Sequence, residues 1–286
     1  MKRKKLSLET VLTFAAQKHY EHSTNTRAGR RIRNQGIGHA DSTLNRSAIH
    51  VASALAPIQE AMFDYVKAGE VVHADETPIR VQRQGAAKQK GKGRCDRFYI
   101  YAFLRDERKW NPDARPVVAF QARSSRSGET IKGLMSGTAI RHLQIDGYAG
   151  YNVLFKADGR NDAMSPVRCW AHTRRKFEEL SNSPLSRRFV DLIKGMYVVE
   201  KAAAYLPFAE REAKRRERTL PIVSEIERLL EEHKEVAQGK LKTAINYTLN
   251  SFEALQRFIF DGRLEIDNNP RNSRTARRCS TPAAAT

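Results

Sequence analysis

Val71-Val72-His73-Ala74-Asp75-Glu76-Thr77-Pro78-Ile79-Arg80-Val81 decides how the chain is read: an apolar strand runs straight into a carboxylate and then resumes. A second strand-like run, Ile140-Arg141-His142-Leu143-Gln144-Ile145, ends at Asp146 and turns through Gly147-Tyr148-Ala149-Gly150-Tyr151. The two acids lie 71 residues apart (146 − 75). A single Asp at a strand end more often caps a turn. Two of them, each following an apolar strand and preceding a turn, predict a pair of carboxylates at one edge of a sheet. Such a pair supplies the hard oxygen donors that Mg²⁺ and phosphoryl transfer require. A two-metal site needs a third acid, and the chain offers Glu265 and Asp267. Glu76, next to Asp75, is expected on the opposite strand face in a structural role.

The composition supplies a reason for phosphate nearby. In 286 residues, 51 Lys and Arg against 32 Asp and Glu leave a net charge of +19, and much of the excess lies in runs. That charge predicts a nucleic-acid partner ahead of an anionic membrane. A hydrophobic content of 40% supports a real core in one or two domains. No apolar run approaches the roughly 20 residues of a spanning helix, and Met1-Lys2-Arg3-Lys4-Lys5 leads into no signal-peptide core. A soluble, cytoplasmic protein is expected. Cys95, Cys169 and Cys279, odd in number and far apart, offer no disulfide framework.

Along the chain, a helix is predicted from about Leu8 to Tyr20 with Ser7 as its N-cap, followed by the basic run Arg27–Arg33. A longer helix, capped by Asp41, repeats Leu44, Ala48, Val51, Leu55, Ile58, Met62 and Tyr65 as a packing face, and Pro57 should kink or split it. Beyond Val81 a polar Gly/Lys-rich loop carries Arg83, Lys88, Lys90, Lys92 and Arg94, candidate DNA contacts. Strands at Arg97–Leu104 and Val117–Phe120 complete an antiparallel meander with the first. Ser127 caps a short helix through Met135, and Val167-Arg168-Cys169 forms another strand, giving the order β-β-β-α-β-α-β. From Trp170 almost to Gly262 the pattern is helical, and Arg174, Arg175 and Lys176 are further candidate DNA contacts. The Arg211–Arg218 cluster, mixed with Glu210, Glu212 and Glu217, reads as a solvated helix face.

Other chemistries find no support. Cys169 and His172 lack a second Cys/His pair for structural zinc, so a local packing or hydrogen-bonding role is expected. His73 reads as a satisfied core or edge histidine. Gly91-Lys92 is followed by Gly93, which rules out a P-loop, and there is no nucleophile elbow, zincin helix or dinucleotide fingerprint.

Four ordered segments then resemble one family. They are His73-Ala74-Asp75-Glu76-Thr77-Pro78, Asp146-Gly147-Tyr148-Ala149-Gly150-Tyr151, Cys169-Trp170-Ala171-His172-x-Arg174-Arg175-Lys176-Phe177 and Asp261-Gly262-Arg263-Leu264-Glu265-Ile266-Asp267-Asn268-Asn269. They look like the large transposase of the insertion-sequence-sixty-six family, with weaker similarity from about Arg30 to Pro270. The resemblance implies an α/β, ribonuclease-H-like mixed sheet with flanking helices and an all-α insertion before the third acidic position. It implies a DDE site using Mg²⁺, with Mn²⁺ as a substitute, that cuts DNA and joins 3′ ends to a target. Its partners would be transposon-end and target DNA, further copies of the chain and accessory transposition proteins. Asp75 and Asp146 match the first two acids and metal ligands, and Cys169-x-x-His172 matches a signature that comes after the second acid.

On this basis residues 1–70 form a basic helical segment, 71–182 the catalytic core, 183–262 the helical insertion and 263–286 the third-acid region with a low-complexity tail. Where the family places a Glu-Arg pair, its third acid, this chain reads Asn272-Ser273. A frameshift just after Pro270 is expected, as is the loss of the family's amino-terminal coiled-coil, metal-binding and helix-turn-helix regions ahead of residue 1. Glu265 is the better substitute acid, seven residues before Asn272 (272 − 265), near a helical repeat. The expectation is a transposase core defective in catalysis, with a non-catalytic DNA-binding remnant as the alternative.

Overall fold

Val71 and Val72 already require two cores, because successive strand residues point to opposite faces of a sheet. The structure, a computed structural model, describes residues 6–82, 95–155, 164–180 and 182–268. The candidate DNA contacts Arg83, Lys88, Lys90, Lys92 and Arg94 lie outside the described residues, as does Asn272. Five strands, β1 (Val71–Gln82), β2 (Cys95–Arg105), β3 (Val117–Arg123), β4 (His142–Ile145) and β5 (Ser165–Arg168), form one sheet in the order β3-β2-β1-β4-β5. β1, β2 and β3 make the antiparallel meander, while β4 and β5 run parallel to β1.

One face buries Val72, Ala74, Tyr101, Phe103, Ala119, Leu143 and Ile145 against Phe63 and Val66 of the preceding helix and Ile131 and Leu134 of α5 (Gly128–Leu134). Ser127 caps α5 through the Thr130 amide, as the sequence predicts. Val71 and Val167 belong to the other core, with Trp170 and Phe177 of α6 (Trp170–Glu178) and residues of α7 (Pro184–Ala202), α9 (Leu220–His233), α10 (Gly239–Leu249) and α11 (Phe252–Gln256). A mixed sheet of this order with helices on both faces is the ribonuclease-H-like α/β fold.

Three readings are corrected. β1 makes no turn after Asp75: it pairs with β2 without a break from His73 to Gln82, so Asp75 sits within a long strand. The charged stretch after α7 is two helices, α8 (Phe208–Arg218) and α9, and α8 is not a solvated face: Arg211 and Arg215 are buried. They are four residues apart and so share one side of the helix. Between β4 and β5 the described residues form a short 3₁₀ segment, Ala149–Leu154, in place of an α-helix.

The chain divides into two compact units, one up to Ala61 and one from Met62. In the first, α1 (Leu8–His19), capped by Ser7, packs with α2 (Asn25–Asn34) and α3 (Asp41–Ala54) around Phe14, Ala28, Ile32 and Leu44. α2 absorbs the basic run, and its Arg31 and Arg33 pair with Glu21 and Asp41. Ala40 occupies the N-cap position of α3, with Asp41 in its first turn. The helix stops at Ala54 and restarts as α4 (Ala56–Lys67), with Pro57 in the first turn. The break shifts the phase of the apolar stripe: Leu55 and Ile58 are exposed, and Phe63 and Val66, not Met62 and Tyr65, are the buried residues of α4.

Candidate active site

The site begins where β1 outruns β4. Their parallel register pairs Val71 with His142, Val72 with Leu143 and His73 with Gln144. Continuing it by two residues sets Asp75 opposite Asp146, the first residue beyond β4. Asp146 is held from several sides. Its Oδ1 accepts the Tyr148 amide at 2.9 Å, which closes the turn. Its carbonyl accepts from Arg168, whose other nitrogen donates to Asn152 Oδ1 at 2.9 Å. Gly147 follows with Tyr247 close against it: a Cβ there would lie 2.1 Å from the Tyr247 hydroxyl and would have to displace that side chain.

Asp146 acts on its neighbours on β1. Asp75 keeps solvent access, but partial desolvation and the Asp146 charge raise its pKa above the ordinary value, opposed by the Glu76 amide and by His172. Glu76 is pushed up to about 7, by burial first and then by Asp146, although Tyr151 donates to its Oε2 at 3.1 Å. Glu76 is therefore part of the site's electrostatics, which strand alternation alone does not reveal. Among the described residues, none of Asp75, Glu76 and Asp146 forms an ion pair, in a chain carrying +19.

The third candidates lie elsewhere. The Glu265 carboxylate is held by Arg211 at 2.9 Å and by Lys109, which lower its pKa to about 2 against burial. The Asp267 carboxylate accepts from the Ala171 amide at 2.8 Å, the Tyr197 hydroxyl at 2.7 Å and the Cys169 thiol at 3.7 Å. It satisfies the start of α6, where the N-cap residue Cys169 supplies no side-chain cap. The structure thus brings Asp75 and Asp146 together and engages Glu265 and Asp267 in other contacts. Immediately after Asp267 the chain returns to the sheet. Asn268 donates to the Ala74 carbonyl at 2.7 Å, and its Oδ1 lies 3.2 Å from His73 Nδ1. The chain therefore reaches β1 one residue short of Asp75. Sequence reading missed Asn268 as a contact of β1, since 194 residues separate it from Ala74.

Cys169 is buried, and burial pushes its thiol up to about 11, so it is a hydrogen-bonding group rather than a thiolate ligand. His172, three residues on, acts on Asp75, and its Nδ1 is buried without a hydrogen-bond partner among the described residues. On the same helix Arg174 pairs with Glu178 at 2.6 Å, Lys176 lies 4.2 Å over the Tyr247 ring and Arg175 is exposed.

Among the described residues no three His, Cys, Asp or Glu side chains converge as a metal site. Asp75 and Asp146 nevertheless fit part of one: two oxygen donors of like charge, each unpaired with a cationic side chain among the described residues, suit a hard divalent cation.

A mixed ribonuclease-H-like sheet with two facing acids on its central strand β1 and just past the neighbouring β4 defines the class of folds that carry DDE chemistry. The chain matches the family described as Transposase IS66 family over residues 6–274, and it belongs to that family. It is 33% identical over 228 residues to the uncharacterized protein y4qI of Sinorhizobium fredii (strain NBRC 101917 / NGR234), covering 77% of this chain and 41% of that protein. It is 30% identical over 245 residues to the uncharacterized protein y4jD of the same organism, covering 82% of this chain and 46% of that protein. The chain thus spans less than half the length of these relatives. No described helix is long and apolar enough to cross a membrane.

Proposed function

We propose that residues 71–182, with the segment around Asn268, form the catalytic core of a DNA transposase, in which Asp75 and Asp146 hold Mg²⁺ or Mn²⁺. The observation that carries this reading is the register that sets Asp75 opposite Asp146, with neither acid paired to a cation among the described residues. Bound there, a divalent ion supplies Lewis-acid polarisation of a phosphodiester and an activated oxygen nucleophile. The chain's own residues supply the positioning. The Tyr148 amide and Arg168 fix Asp146, Asn268 anchors β1 beside Asp75, and His172 acts electrostatically on Asp75. Arg175 and the Arg83–Arg94 loop supply DNA phosphate contacts. Residues 183–262 serve as the helical insertion that carries Glu200, Arg211 and Arg215.

The other reading, a DNA-binding protein without strand-transfer activity, is favoured by a specific observation. The carboxylates of Glu265 and Asp267 are both engaged, and position 272 holds an amide. An amide adds no charge to offset a second Mg²⁺ or the charge developing on the phosphoryl oxygens. The test is nicking of supercoiled DNA in Mg²⁺ or Mn²⁺ by the chain, by Asp75→Ala and by Asn272→Glu. Weak or absent nicking that Asn272→Glu raises, and that Asp75→Ala abolishes in the Asn272→Glu background, supports the catalytic reading. Nicking that Asp75→Ala leaves unchanged overturns it.

A further inference from the structure

Arg126 lies in the turn between β3 and α5 and belongs to none of the motifs above. Its guanidinium lies 4.5 Å over the Tyr148 ring and 5.5 Å from the Tyr99 ring. The Tyr148 hydroxyl in turn donates to the Arg126 carbonyl at 2.8 Å, so each residue holds the other. Tyr148 is the residue whose amide binds the Asp146 carboxylate, which ties this pedestal directly to the acid pair. The turn has little freedom: a Cβ on Gly128 would lie 3.3 Å from the Gly150 carbonyl and from Val153. The Arg126 charge acts on Glu76, which places it on the side of the site where Tyr151 and Glu76 meet.

Arg126 is exposed and forms no ion pair among the described residues, whereas Arg174, Arg188, Arg216 and Arg228 on the helices each hold a carboxylate. A planar cation lying over two rings, its N–H groups meeting no acceptor among the described residues, is preorganised for a phosphate. We propose that Arg126, seated on Tyr148 and Tyr99, contacts the backbone phosphate of the DNA strand lying at the Asp75–Asp146 pair. This rests on the transposase reading, because it needs DNA at that edge. Arg126 is thereby a positioning residue. Its cation sets the strand's register beside the acids and offsets the repulsion between phosphate and the three carboxylates.

The test is fluorescence-anisotropy titration of a short duplex, without divalent metal, over a range of NaCl. It compares the chain with Arg126→Gln, Arg126→Lys, Tyr148→Phe and Arg228→Ala, each checked for folding by circular dichroism. Arg126→Gln should weaken binding roughly tenfold and make the log–log salt slope shallower by about one, the signature of one lost phosphate contact. Arg126→Lys should keep most of the slope, Tyr148→Phe should weaken binding with the slope intact, and Arg228→Ala should match the parent. A slope and affinity unchanged in Arg126→Gln, beside a parent that binds DNA, overturns the assignment of Arg126 alone. A parent that binds no DNA overturns the transposase reading and this inference with it.

Discussion

Two groups of carboxylates in this molecule meet opposite fates. Between α7 and α8, Glu200 takes Arg215 at 2.7 Å and Arg211 at 2.9 Å, and Arg211 reaches on to Glu265. Arg215 also donates to the carbonyls of Phe258, Asp261 and Leu264, so its buried charge is met by a carboxylate and three carbonyl acceptors. Where β1 runs on past the end of β4, Asp75, Glu76 and Asp146 crowd together with only amides, a phenol and distant cations to oppose them. The first group lowers the Glu265 pKa to about 2, and the second raises that of Glu76 to about 7. Buried arginines supplied to one set of acids and withheld from another are what the proposed cation site at Asp75 and Asp146 requires.

The contrast breaks most sharply at Arg215. Arg215→Ala strips Glu200 of two bonds and leaves buried carbonyls unsatisfied, so it should destabilise the unit from Met62 by about 3–5 kcal/mol. Urea denaturation monitored by circular dichroism measures this, and a loss under about 1 kcal/mol would show that the network holds little.

The acid edge should behave in the reverse sense. Asp75→Asn and Asp146→Asn remove like-charge repulsion, so each should leave stability without metal unchanged or slightly higher at neutral pH. The parent alone should gain from Mg²⁺, by about 1.4 kcal/mol at a concentration tenfold above its dissociation constant. Thermal melts with and without Mg²⁺ separate the cases. A Mg²⁺ shift that persists in both variants would mean that the ion sits elsewhere.

Much of this was legible in the sequence because it is local. Strand alternation gave the meander, an apolar run into Asp gave each of the two acids, and Ser7 and Ser127 marked helix starts that the structure keeps. The rest is carried by contacts between distant residues. That Arg211 and Arg215 are buried depends on Glu200 and on the carbonyls of the Asp261–Leu264 turn, and neighbouring Glu residues made the same helix read as solvated. A turn was expected after Asp75 because the carboxylate interrupts the apolar run, whereas pairing with β2 carries the strand unbroken to Gln82. Glu265 looked free because its two cations, Lys109 and Arg211, stand 156 and 54 residues away.

The smallest effect, and the one that reads the comparison most directly, is its pH dependence. Glu265 has a folded pKa of about 2, below its unfolded value of 4.5. Its contribution to stability is therefore complete above 4.5 and is lost as the pH falls toward 2, because the unfolded chain binds the proton first. Glu76 has the opposite sign. With a folded pKa of about 7, the folded chain holds the proton more tightly than the unfolded one, so stability declines as the pH rises from 4.5 through 7. Partial solvent access at the sheet edge keeps that decline shallow. Glu265→Gln should flatten the acid limb of the stability–pH curve, and Glu76→Gln the limb between 4.5 and 7, each leaving the other in place. Saturating Mg²⁺ should also flatten the second limb, since a bound cation favours the ionised carboxylates. A Glu76→Gln variant that keeps the parent's decline above pH 4.5 would place its origin outside the acid edge and remove this distinction between the two groups.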